Sequence, residues 1–212
     1  MTEIAPQYIL PHWPAPTSVA AAISLRTGGI SGGDFASNNL ALHVGDNSAS
    51  VEANRLQLTQ ALQLPRSPQW LTQVHGVKVV TAKTDGLVRT ADAAITRENG
   101  LPCAILTADC LPVLLCDLAG TQIAAVHAGW RSLAKGIIQR TVAQFAAPGA
   151  ELMAYFGPAI SSRHFEVGIE VLEACFRHAD NEQQVEAIEA AFRPSSRPLH
   201  FYADLYALAR AA

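Results

Sequence analysis

The chain has 212 residues, half of them hydrophobic and 16% charged, with a formal net charge of -3. Such a composition supports a core of more than one layer. No basic run is present, which argues against nucleic acid as a partner, because such binders cluster Lys and Arg to neutralise phosphates. Met1 to Pro16 lacks the basic start and apolar core of a signal peptide. No apolar stretch reaches the roughly 18 residues needed to span a bilayer. A cytoplasmic protein with no membrane partner is the expectation.

Val19 to Leu25 reads as a short apolar strand running into a glycine-rich loop, Arg26-Thr27-Gly28-Gly29 and then Ser31-Gly32-Gly33-Asp34. The loop matches neither of the common phosphate-binding glycine fingerprints. Ser50 to Leu64 is predicted helical, with Ser50 as N-cap and Pro65 and Pro68 as its stop. Trp70 to Val74 and Val77 to Val80 read as strand on either side of His75-Gly76. Pro102 to Thr107 and Leu111 to Cys116 are strand-like runs flanking Ala108-Asp109-Cys110. Gln122 to Val126 is a further strand that ends at His127. A helix is predicted from Ser132 to Phe145, with Leu133, Ile137, Ile138, Val142 and Phe145 as its buried stripe. Leu152 to Phe156 reads as strand, and Glu166 to Phe176 as a second helical stretch. Strands and helices mix without strict alternation, which predicts a mixed α/β sandwich and not a doubly wound nucleotide fold.

Three residues able to carry chemistry end or interrupt apolar strands: His75, Cys110 and His127. The four cysteines, Cys103, Cys110, Cys116 and Cys175, form no CxxC pair, which excludes a zinc knuckle or thioredoxin-type motif. In a reducing compartment they are thiols or metal ligands. Two imidazoles and a thiolate suit zinc, and three protein ligands leave a position open, the catalytic pattern. Alternatively, Cys110 is a nucleophile with His127 as its base, as in a cysteine hydrolase. The same donor set also suits copper, although neither Met1 nor Met153 has a claim as the weak axial ligand of a blue-copper site. Singly, each of the three is explained as well by an ordinary core role. Asp109 stands beside Cys110, and a buried acid there requires a partner. On a strand the two would face opposite ways unless the chain bends. Arg26 is a candidate anion ligand. Asn39 and His43 are candidate substrate contacts.

Longer motifs narrow these choices. The runs Gln73-Val74-His75-Gly76, Thr107-Ala108-Asp109-Cys110-Leu111-Pro112-Val113-Leu114 and Ala125-Val126-His127-Ala128-Gly129-Trp130-Arg131 resemble the YfiH-like, laccase-domain family. Its members are also called multicopper polyphenol oxidase-like or purine nucleoside phosphorylase-type. Arg26 to Ser31, Asn39 to Asp46, Glu52 to Arg55, Gly157 to Ile160 and Phe165 to Gly168 extend the match in order.

The resemblance implies a four-layer αββα sandwich, related to putative cysteine hydrolases. It implies one catalytic domain over residues 1–212 that stops short of the family's usual Cys-Thr and Tyr-Arg-Arg-Asp elements, and Ser132 where a glycine is usual. It further implies a zinc ion on His75, Cys110 and His127. The implied activities are phosphorolysis of adenosine, inosine and methylthioadenosine and deamination of adenosine; the older label is copper-dependent polyphenol oxidation. Asp109 is then the proton-transfer candidate, and Arg26, Gly28, Gly29, Asn39 and His43 the candidates for binding nucleoside and phosphate. A closed, non-catalytic zinc site is the non-enzyme alternative, against which three protein ligands argue.

Overall fold

Residues 6–212 are described by a computed structural model; Met1 and the first part of the N-terminal stretch lie outside the described residues. The strands are β1 (Tyr8–Ile9), β2 (Ile23–Ser24), β3 (Leu71–Thr72), β4 (Val79–Thr81), β5 (Arg89–Thr90), β6 (Ala93–Thr96), β7 (Leu111–Asp117), β8 (Ile123–Ala128), β9 (Leu152–Phe156), β10 (Glu166–Gly168), β11 (Phe192–Pro194) and β12 (His200–Ala203). The helices are α1 (Ser48–Ala61), α2 (Trp130–Ala134), α3 (Ile137–Val142), α4 (Ile169–Phe176), α5 (Glu182–Ala190) and α6 (Leu205–Ala211). The central sheet has the order β4-β6-β8-β7-β9 and is antiparallel except at β4-β6. This is the mixed α/β organisation predicted, without the parallel crossovers of a doubly wound fold.

Alternation along β7 and β8 decides what each face does. Val113 and Leu115 pair with Val126 and Ala124, and these side chains join Leu133, Ile137, Ile138, Val171, Leu205 and Leu208 in the main core. Helices α2, α3, α4 and α6 therefore cover one face. His127 sits opposite Pro112 on the other face, in line with the Leu114–Ala125 pair. On that side a smaller cluster of Leu71, Ala91 and Ala94 packs with Cys103 and Ile105. The other described strands form the two-stranded pairs β1-β2 and β3-β5 and the three-stranded sheet β10-β12-β11, and Gln69 makes a single bridge to Cys103. No helix among the described residues is long and apolar enough to cross a membrane.

Several boundaries differ from expectation, each for a local reason. Helix α1 begins at Ser48 because Asn47, in extended conformation, accepts a hydrogen bond from Ser50 N and is the N-cap in place of Ser50. The helix predicted over Ser132 to Phe145 breaks in two at Gly136, whose φ of 81° is left-handed and cannot continue an α-helix. Glu166 to Gly168 is strand because it pairs with β12, and the helix starts only at Ile169. Val19 to Leu25 shrinks to β2, and Pro102 to Thr107 keeps only the Cys103 bridge. Apolar content marked those segments as buried, but a strand also needs a neighbouring ladder, and sequence does not show whether one is there.

Ser132 is fully buried at the start of α2, and its hydroxyl has no hydrogen-bond partner among the described residues. An unsatisfied buried hydroxyl costs about 1–3 kcal/mol. Ser132→Ala should therefore raise stability by about 1 kcal/mol, seen in calorimetry as a Tm increase of roughly 2–4 °C. A lower Tm would mean that the hydroxyl has a partner.

Candidate metal centre

The site assembles from three separate places in the chain. His75 lies in the connection between β3 and β4, Cys110 immediately before β7, and His127 on β8. Residues 108–110 form the bend that lets Cys110 leave the strand direction. One ligand atom from each residue falls within 4.8 Å of the others. Cys110 Sγ is 3.7 Å from His75 Nε2, and the two imidazoles meet edge to face at 4.7 Å between ring centres. A tetrahedral zinc would hold a thiolate sulfur and an imidazole nitrogen about 3.5 Å apart, so the donors need little movement to accept one. His75 is exposed, Cys110 half-buried and His127 buried, which leaves the cluster open on the His75 side. Among the described residues this is the one such group of three or more His, Cys, Asp or Glu side chains.

Gly129 is the floor of the cluster. A Cβ at this position would lie 2.9 Å from Cys110 Sγ and 3.0 Å from His75 Cδ2. Its backbone, φ -65° and ψ 156°, suits any residue, so glycine is required by the neighbours and not by the turn.

The acid that reaches the cluster is Asp92, which the sequence reading missed. It is fully buried. Its Oδ1 accepts from His127 Nδ1 at 2.9 Å and from His75 N at 2.9 Å; its Oδ2 accepts from Gly76 N at 2.7 Å and Val74 N at 3.3 Å. Burial alone would raise its pKa, but the hydrogen bonds from His127 and from Gly76, Val74 and His75 outweigh burial and hold the carboxyl below the usual range. His127 responds in the opposite sense. Burial pushes it down, while Asp92 and Cys110 push harder upward, to about 9. His75 is lowered, first by burial and then by the nearby charge of His127. The signal for Asp92 was present: a single acid inside Ala91-Asp92-Ala93-Ala94-Ile95. It is the same signal that drew attention to Asp109, which is instead exposed and outside the converging group.

The remaining predicted residues gather around the glycine-rich loop. Arg26 donates from Nε to Ala36 O and from Nη2 to Asp34 O, each at 2.8 Å, and so ties the loop to itself. The Gly28 and Gly29 amides both point at Ser37 Oγ, at 3.1 and 3.3 Å. A Cβ on Gly29 would fall 2.6 Å from Asn38 Cα, so close packing fixes that glycine. Asn39 Nδ2 donates to Asp46 Oδ2 at 2.9 Å. Asn54, fully buried on α1, anchors the assembly, donating to Ser31 Oγ and Asn39 O and accepting from Ile30 N. A cavity of about 780 Å³ opens beneath, lined by Arg26, Asn39, Trp70, Ile105 and Asp109, the last being the neighbour of Cys110. His43 is exposed and, like Gly28 and Gly29, does not line it.

Comparison with known proteins agrees with these motifs. The family model described as multi-copper polyphenol oxidoreductase laccase matches residues 20–212. The chain belongs to this family. A Pseudomonas aeruginosa protein named a purine nucleoside phosphorylase is 48% identical over 203 residues, 96% of this chain and 80% of its own. The Escherichia coli protein YfiH, also named a purine nucleoside phosphorylase, is 44% identical over 203 residues, 95% of this chain and 80% of its own. A crystal structure of a Neisseria meningitidis protein of the DUF152 family superposes with a TM-score of 0.87 at 45% identity, covering 96% of this chain and 81% of that one.

Gly129→Ala is expected to fold, because its backbone angles suit alanine, but to displace Cys110 and His75. Its affinity for zinc or cobalt should fall by roughly tenfold or more. Metal titration of the folded variant checks this, and wild-type affinity would show that the floor is not needed.

Proposed function

We propose that the chain is a zinc-dependent purine nucleoside enzyme of the cytoplasm that phosphorolyses adenosine, inosine and methylthioadenosine and deaminates adenosine. The observation that carries this reading is the convergence of His75, Cys110 and His127, with Asp109, the chain neighbour of Cys110, lining a cavity, in a chain 44–48% identical to bacterial proteins named purine nucleoside phosphorylases. The donor set favours zinc over copper: a multicopper centre needs many more ligands, and no second converging group exists among the described residues. Met153 pairs with Cys116 in the central sheet and has no place as an axial ligand.

When bound, zinc supplies a Lewis acid with a coordination position open to solvent or substrate. The protein's own groups do the rest. In phosphorolysis a phosphate oxygen bonds to C1′ of the ribose, the C1′–N bond breaks, and the purine leaves with that electron pair and a proton. Phosphate must be held by a cation. Arg26 lines the cavity, and its Nη1 makes no hydrogen bond among the described residues. In deamination water replaces the amino group at C6, and ammonia departs. Asp109, exposed at the cavity, is the acid placed to move a proton. Asn39 and the loop it fastens form part of the nucleoside wall.

A second reading has one specific support. Cys110 lies within 4.8 Å of His127, whose Nδ1 donates to Asp92, a thiol, imidazole and carboxylate grouping of the kind that activates a nucleophile. In that case the metal-free protein is a cysteine hydrolase, and Cys110 should react quickly with iodoacetamide.

Incubation with adenosine, with and without phosphate, separates the reactions. Inosine should form without phosphate, and free adenine only with it. Cys110→Ala should abolish both. Arg26→Ala should reduce phosphorolysis by roughly 10-fold or more, consistent with loss of a charge-assisted contact, and harm deamination less, since only phosphorolysis needs bound phosphate. Neither inosine nor free base from zinc-loaded protein would reject the purine reading.

A further inference from the structure

We propose that Asp92 is the positioning residue that sets the geometry of the metal centre, gripping both histidine arms with one carboxylate. The inference rests on the metal-centre reading above, but not on the purine substrate. The two arms come from elements that otherwise share little: a connection between short strands, and the end of β8. Asp92, one residue before β6, holds His127 twice. Its carbonyl accepts from His127 N at 2.8 Å and its Oδ1 from His127 Nδ1 at 2.9 Å. With Nδ1–H committed to Asp92, only Nε2 of His127 is free to face a metal.

The same carboxylate collects the successive amides of Val74, His75 and Gly76. Consecutive N–H groups wrapped around an anion form a nest. Forming it requires an unusual backbone, and His75 has φ of 56°, in the left-handed region that a non-glycine residue rarely enters. A Cβ on Gly76 would stand 3.4 Å from Asp92 Oδ2, in ordinary contact, so the nest fits closely around the carboxylate. The left-handed turn carries the His75 ring to the cluster, and the carboxylate holds the turn. No other carboxylate among the described residues takes this place, since Asp109 is exposed and makes no side-chain hydrogen bond there.

An amide cannot replace the acid. Both oxygens of Asp92 accept from N–H groups, so Asp92→Asn would set an NH2 against the amides of Val74 and Gly76 or against the amide of His75 and the imidazole Nδ1–H of His127. The variant should keep its fold and lose its ligand geometry. The experiment measures zinc affinity by chelator competition and the visible spectrum of the cobalt-loaded protein, for wild type and Asp92→Asn. Zinc affinity should fall 10- to 100-fold, and the cobalt bands should shift, which loss of general stability alone would not produce. Wild-type affinity with an unchanged cobalt spectrum overturns the proposal. Should the variant fail to fold, 15N NMR of the zinc-loaded wild type decides. A proton on His127 Nδ1 with metal on Nε2 supports the proposal, and the reverse assignment overturns it. Wild-type protein that binds neither zinc nor cobalt removes the metal-centre reading and this role together. Failure to turn over nucleosides touches only the substrate reading and leaves these measurements standing.

Discussion

A buried carboxylate is costly unless everything around it donates, and the arrangement of this site follows from how Asp92 meets that demand. With no exposure to solvent, it takes hydrogen bonds from one imidazole and three backbone amides. Satisfying the acid forces the chain at His75 into a left-handed turn and fixes one nitrogen of His127. Both effects bear on the same few cubic ångströms. The polar group that threatens the core thus becomes the group that orders the site.

The scaffold makes this possible through the central sheet. Helices cover one face of β7 and β8, so alternate side chains there are committed to the core. His127 belongs to the other set and opens toward the side where the cavity lies. Gly129, just after β8, leaves room for Cys110 and His75 to approach. Around the cavity, a second polar network does for the glycine-rich loop what Asp92 does for the ligands. Asn54 on α1 and Asp46 absorb the loop's donors and acceptors. The pKa of Asp46 is lowered, chiefly by the Ser31 hydroxyl and the Asn39 amide. Loop shape is therefore set from behind, while Arg26 remains beside the cavity.

Much of this was legible in the sequence, and the omissions have a common cause. His75, Cys110 and His127 stood out because reactive groups ended apolar runs, and the three motifs identified their family. Four of the five strands of the central sheet, β4, β7, β8 and β9, were placed to within a residue or two, because hydrophobic runs of that length and composition bury both faces, whereas β6, only four residues long, was not assigned. Asp92 was passed over while Asp109 drew attention, since proximity in sequence to Cys110 is visible and proximity in space is not. Gly28 and Gly29 stood as candidates for binding nucleoside and phosphate, and their amides both face Ser37. Hydrogen-bond partners many residues apart are invisible to spacing arguments. The segments after Phe176, including β11, β12 and α6, carried too little periodicity to assign before their partners were seen.

The central claim is that two imidazoles and one thiolate converge on a single metal. X-ray absorption at the zinc edge of the loaded protein tests it directly. The account predicts one sulfur at about 2.3 Å and two imidazole nitrogens at about 2.0–2.1 Å, with a light atom completing the shell. A shell of nitrogen and oxygen alone, with no sulfur contribution, would contradict it.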